Sequence, residues 1–158
     1  MKPNLLLPNN YKKVGWCLFF PSFLFGLFLL FSDYEIAWLQ VKMISIFPHQ
    51  LFGEKKYFTP IQVNLTYTLV ACIFIIGSLL VGFSKEKNED EFIATLRLSS
   101  LLWAVLLNYI LLLLAFMLIY DMAFFDIMIY NMFTVILIFI GRFNYVLYKN
   151  SKASINEK

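Results

Sequence analysis

Four long stretches of this chain hold no charged residue, and polar segments separate them. They run from Val14 to Phe31, Val63 to Phe83, Leu98 to Tyr120 and Ile127 to Gly141. A helix needs about 20 apolar residues to cross about 30 Å of hydrocarbon. The first three stretches reach or nearly reach that length. The fourth does so by starting at Met122 and admitting Asp126, or by continuing past Arg142 toward Tyr148. Within lipid each backbone amide must be satisfied inside its own segment, which makes these stretches helices. The pattern predicts an all-α membrane protein, a four-transmembrane-helix bundle in a single integral membrane domain over residues 1–158. Its spans fall at about 14–31, 63–83, 98–120 and 122–141.

The first span follows Lys12 and Lys13, as a secretory leader would. Its apolar region exceeds the usual length of about 7–15 residues, and no Ala-x-Ala-like site follows near Ser32. It reads as a retained span, kinked at Pro21 and Gly26.

Two segments escape the lipid. In residues 32–62, Gln40 and Lys42 alternate with Leu39, Val41 and Met43, the period of a strand. Pro48 to Lys56 reads as a turn region and Tyr57 to Thr59 as a returning strand. A small β-hairpin lying on the membrane is the preferred reading, with an interfacial amphipathic helix as the alternative. His49, the only histidine, has no visible companion for metal binding or base catalysis and reads as an ordinary loop residue. In residues 84–97, Asn88 to Glu91 has the shape of a helix start. Asn88 can cap, Glu91 can return the bond, and Glu89, Asp90 and Glu91 favour the positive helix end. With nothing to stop it before Tyr120, the third helix would be about 50 Å long at 1.5 Å per residue. The acidic cluster is either a capped, solvated helix end or a cytoplasmic docking point for a partner.

Composition agrees with the pattern: 61% of residues are hydrophobic and 15% charged, against about 45–50% and about 25% in soluble domains. Charge orients the spans. The N-terminus, residues 84–97 and the tail 142–158 share one side and carry ten of the thirteen Lys and Arg, whereas residues 32–62 carry three. That asymmetry predicts cytoplasmic termini and an extracytoplasmic 32–62 loop. The net charge of +3 is thus a topology signal and implies no nucleic-acid partner. Cys17 and Cys72 both lie in apolar runs, which argues against a disulfide framework.

Candidate chemistry is sparse. No Gly-rich phosphate loop, metal-spaced His/Cys cluster or Gly-x-Ser-x-Gly occurs, so neither catalytic residues nor a cofactor or metal site are expected. Polar residues inside the spans are more informative. Ser100, Ala104, Asn108 and Ala115 form one stripe on the third helix, where small residues let helices approach and Asn bonds across the gap. Counted outward from the turn near Asp121, Asn108, Asn131 and Thr134 reach similar depth, which predicts an Asn108–Asn131 or Asn108–Thr134 hydrogen bond. Asp126 has two readings. It is an intramembrane acid if the fourth helix starts at Met122, or the cap of a helix starting at Ile127, with Arg142 snorkelling to the cytoplasmic surface.

The run from Ser84 to Tyr109, SKEKNEDEFIATLRLSSLLWAVLLNY, is similar to a stretch in small, uncharacterised four-span bacterial inner-membrane proteins. The resemblance implies a bacterial inner-membrane location and brings no activity, substrate or catalytic residue. The expected function is that of a non-enzymatic interaction or accessory subunit, partnered by the lipid bilayer and by another protein or further copies of itself. The alternative is a small oligomeric transporter or channel using Asp126 and the intramembrane Asn residues.

Overall fold

A computed structural model describes residues 6–32, 36–45, 58–87 and 89–156. In chain order these form α1 (Asn10–Ser32), a short 3-10 turn (Ala37–Leu39), β1 (Gln40–Ser45), β2 (Thr59–Asn64), α2 (Thr66–Phe83), α3 (Glu91–Leu118) and α4 (Met122–Asn156). All four α-helices are long and apolar enough to cross a membrane. The two strands make a small antiparallel sheet between α1 and α2.

Burial is inverted relative to a protein in water. Large apolar side chains such as Leu24, Phe28, Leu102, Leu106, Leu113 and Met132 are exposed. The buried positions include Ser22, Ser78, Ser100, Ala104, Asn108 and Ala115. Water would not tolerate so large an apolar exterior. Lipid removes any hydrophobic drive between helices, and small or polar residues then make the close contacts.

The chain forms two compact units, residues 1–19 with 75–158 and residues 20–74. In the first unit, glycines bring α1 and α2 together. A Cβ on Gly15 would lie 2.8 Å from the Val81 backbone nitrogen, and one on Gly77 would lie 2.8 Å from that of Phe19. Each glycine thus meets the residue four positions beyond the other, a reciprocal crossing of two helix backbones. Gly82 does the same for an aromatic ring, since a Cβ there would lie 2.7 Å from Phe139 Cε1. Phe139 is buried, as are Phe143, Val81 and Ile140, and its ring lies 6.1 Å from those of Phe83 and Phe143. Helices α3 and α4 pack antiparallel along their length. They are joined by a tight turn in which Asp121 adopts the left-handed conformation, φ 67°, which Asp tolerates better than most residues.

In the second unit the strands pair with Gln40 opposite Asn64, Val41 opposite Val63 and Lys42 opposite Gln62. Like residues oppose each other, and from Gln40 to Met43 the pairs alternate polar and apolar; at the turn end Ile44 opposite Pro60 and Ser45 opposite Thr59 reverse that order. The Asn64 Oδ1 accepts from the Thr66 backbone nitrogen at 3.0 Å and its hydroxyl at 2.6 Å, while the Asn64 Nδ2 donates to the Ile36 carbonyl at 3.2 Å. That knot ties the hairpin to the first turn of α2.

Several boundaries differ from expectation. The returning strand is Thr59–Asn64, so α2 starts at Thr66, not Val63. An uncharged run looks like a span even where Gln62 and Asn64 alternate with apolar neighbours. Residues 46–57, including His49, lie outside the described residues, as does Asn88. The observed N-cap of α3 is Asp90, whose Oδ1 accepts from the Ile93 nitrogen at 2.8 Å. With 28 residues, α3 is about 42 Å long by the 1.5 Å rise, shorter than expected at both ends. The segment 142–156, read as the tail, continues α4 as helix, with neither Gly nor Pro after Gly141 to stop it. Helix α1 runs unbroken through Pro21.

Candidate functional site

The expected polar pair in the middle of the spans is present. Asn108 Nδ2 donates to Asn131 Oδ1 at 3.0 Å, and Asn131 Nδ2 donates back to Asn108 Oδ1 at 3.2 Å. Asn108 is ten residues from the end of α3 and Asn131 nine from the start of α4, about 15 Å deep by the helical rise. That is near the centre of the hydrocarbon. A lone amide there would strand its donors and acceptor, and the reciprocal bonds answer that cost for both residues. Asn108 is buried and Asn131 half-buried. Thr134 takes no part. Its hydroxyl donates to the Tyr130 carbonyl at 3.0 Å, one turn back on its own helix.

A second polar centre lies where the N-terminal segment meets the α2–α3 loop, called here the basic end. Leu7 bridges to Ser84 in parallel, with Leu7 N donating to Phe83 O at 3.0 Å and Lys85 N to Leu7 O at 2.8 Å. The Asn9 amide donates to Lys85 O at 2.7 Å, and Lys12 pairs with Glu86. Arg97 is buried, its Nη2 donating to Ser84 O at 3.1 Å and to Glu89 Oε2 at 3.2 Å. Its Nη1 lies 3.0 Å from Glu89 Oε1, a charge contact without hydrogen-bond alignment. The Glu89 Oε2 also accepts from the Glu86 backbone nitrogen at 2.7 Å.

Two of the three candidate docking carboxylates are therefore already engaged. Glu89 neutralises Arg97 and Asp90 caps α3, leaving Glu91 in the first turn. The sequence places Arg97 at the edge of a span but carries no period that would reveal its partner. Only the fold of the α2–α3 loop brings Glu89 to it.

Both basic-end arginines of α3 and α4 also lie on aromatic rings of the opposing helix. The Arg97 guanidinium is 5.2 Å from the Phe143 ring centroid and that of Arg142 is 4.7 Å from Trp103. Arg142 therefore does not snorkel outward. Side chains lean toward the N-terminus of their own helix. On antiparallel α3 and α4 that tilt drives Trp103 and Arg142 toward each other.

Asp126 sits within α4, four residues after Met122, so it is not the cap of a helix starting at Ile127. It is exposed, and the Asn108–Asn131 bonds do not include it. Around the turn, Phe116, Ile119, Tyr120, Met122, Phe124 and Phe125 line an open, mostly apolar hollow with Asp121 at its edge. Cys17 and Cys72 are free and exposed. Among the described residues no cluster of His, Cys, Asp and Glu could hold a metal ion. Comparison with models of known protein families, with curated proteins and with solved structures finds no match to this chain.

Proposed function

We propose that this protein is a multi-pass protein of the bacterial inner membrane with both termini in the cytoplasm, acting as a non-enzymatic interaction or accessory subunit. The observation that carries the functional reading is the closed Asn108–Asn131 pair. The deepest polar groups of α3 and α4 are spent on each other, which is the use expected of packing amides and not of a conduction path. Arg97 at the basic end is likewise spent on Glu89. The surplus of Lys and Arg at the ends shared by the N-terminus, the α2–α3 loop and the end of α4 supports the orientation. The likeness of residues 84–109 to small four-span inner-membrane proteins supports the location.

Asp126 supports the second reading, a small oligomeric transporter. An acid inside a spanning helix is a functional candidate. It is exposed, so a path built on it would require a further copy of the chain or another protein beside α4. Gentle detergent extraction from native membranes, followed by mass measurement and identification of companions, separates the readings. The interaction reading expects a stoichiometric second protein. A homo-oligomer whose reconstituted proton or cation flux disappears in Asp126→Asn would overturn it.

A further inference from the structure

The two stacked arginines at the basic end have different charge environments. That of Arg97 is offset by Glu89 at 3.0 Å. Arg142 has no carboxylate partner among the described residues; its guanidinium lies over the Trp103 ring, 4.7 Å from the centroid. It is half-buried, and its Nε is enclosed without a hydrogen-bond acceptor. A guanidinium does not lose its proton in proteins, so burial cannot discharge it. An anion brought to the half-buried site can supply the compensation.

The geometry limits which anion. The guanidinium carbon lies over the indole ring, and of its three nitrogens only Nε is enclosed. The Nη1 and Nη2 edge is left as a planar fork, which matches two oxygens of one phosphate. Toward the middle of the spans the surface beside it is apolar, with Leu106 and Leu107, one turn from Trp103, exposed; Tyr145, one turn from Arg142 on the other side, is exposed as well. An anion that matches both the fork and the exposed apolar side chains beside it carries acyl chains. We infer that Arg142, stacked on Trp103, binds the phosphodiester of an anionic phospholipid in the leaflet at the basic end. Basic positions between spanning helices recognise lipid headgroups in this way.

The test is native mass spectrometry of the purified full chain in detergent, titrated separately with phosphatidylglycerol, phosphatidylcholine and inorganic phosphate. Wild type should retain phosphatidylglycerol in preference to phosphatidylcholine and should not retain inorganic phosphate. Arg142→Gln should weaken phosphatidylglycerol retention about tenfold, as loss of a charge-assisted pair implies. Arg142→Lys keeps the charge, loses the fork and should fall between the two. Lys149→Gln removes an exposed cation two turns further along α4 and should leave retention unchanged. Helicity measured alongside shows that each variant is folded; should Arg142→Gln fail to fold, Arg142→Lys decides. Wild-type retention in Arg142→Lys or Arg142→Gln would overturn the site, as would equal loss in Lys149→Gln. Binding of inorganic phosphate with displacement of the lipid would overturn the lipid assignment.

Discussion

Replacing Gly77 with Ala tests whether backbone contact between α1 and α2 holds the first unit together. The added Cβ would lie 2.8 Å from Phe19 N, 3.1 Å from Phe19 Cα and 3.1 Å from Leu18 Cβ. Ordinary carbon contacts lie at about 3.5–4.0 Å, so the two helices must separate by roughly half an ångström. Two of the three obstructing atoms are backbone, which has no rotamer to escape into. Overpacking of this kind costs about 1–3 kcal/mol. Against it stands the better helix propensity of Ala, up to about 1 kcal/mol. With the full propensity gain the net expectation is destabilisation by up to about 2 kcal/mol, and by about 1–3 kcal/mol relative to a glycine replaced without overpacking. Gly141 is the internal control, because a Cβ there meets nothing within 4 Å. Gly141→Ala keeps the propensity gain alone and should be neutral or stabilising by up to about 1 kcal/mol. Reversible unfolding in mixed micelles of mild detergent and dodecyl sulfate, followed by far-UV circular dichroism, measures both. If Gly77→Ala is no less stable than Gly141→Ala, the close crossing does not exist.

Three further outcomes can be measured in the same preparation or in cells. Asn108→Leu and Asn131→Leu should each weaken α3–α4 packing by about 0.6 kcal/mol and by no more than about 2; their double variant should cost less than the sum, and strict additivity would mean the amides do not bond. Asp126→Asn should change stability by less than about 0.5 kcal/mol, the range for exposed sites without special contacts; a larger loss in the unfolding assay would place the carboxylate in a contact. With Cys17 and Cys72 first replaced by Ser, a cysteine at Lys42 should react with a membrane-impermeant thiol reagent in intact cells, and one at Lys152 should not. The reverse labelling would invert the proposed orientation.

Much of the architecture was legible in the linear pattern because lipid imposes strong local rules. A span must be long, uncharged and helical, so four apolar runs define four helices without knowledge of their neighbours. The alternation of Gln40 and Lys42 with Val41 and Met43 likewise marks β1. Even the Asn108 bond could be narrowed to Asn131 or Thr134, because a tight turn forces antiparallel packing and fixes relative depth, and the structure chose Asn131. Boundaries were less legible where hydropathy alone was used. Val63 is apolar but pairs in a sheet, and Asp126 is charged but sits inside a helix whose partners continue on both sides.

Tertiary structure decided what depends on distant residues meeting. Nothing in the local pattern says that Gly15 and Gly77 lie on each other's helices, since glycine is equally consistent with a kink. Nothing says that Glu89 neutralises Arg97, because that contact depends on how the α2–α3 loop folds back over the first turns of α3. The same holds for Arg142, which linear reasoning sends outward to water. The antiparallel tilt of side chains on α3 and α4 instead lays it on Trp103. Hydrophobic matching to a solvent is written along a chain. Steric closeness and the pairing of charges are properties of surfaces that exist only once the helices have met.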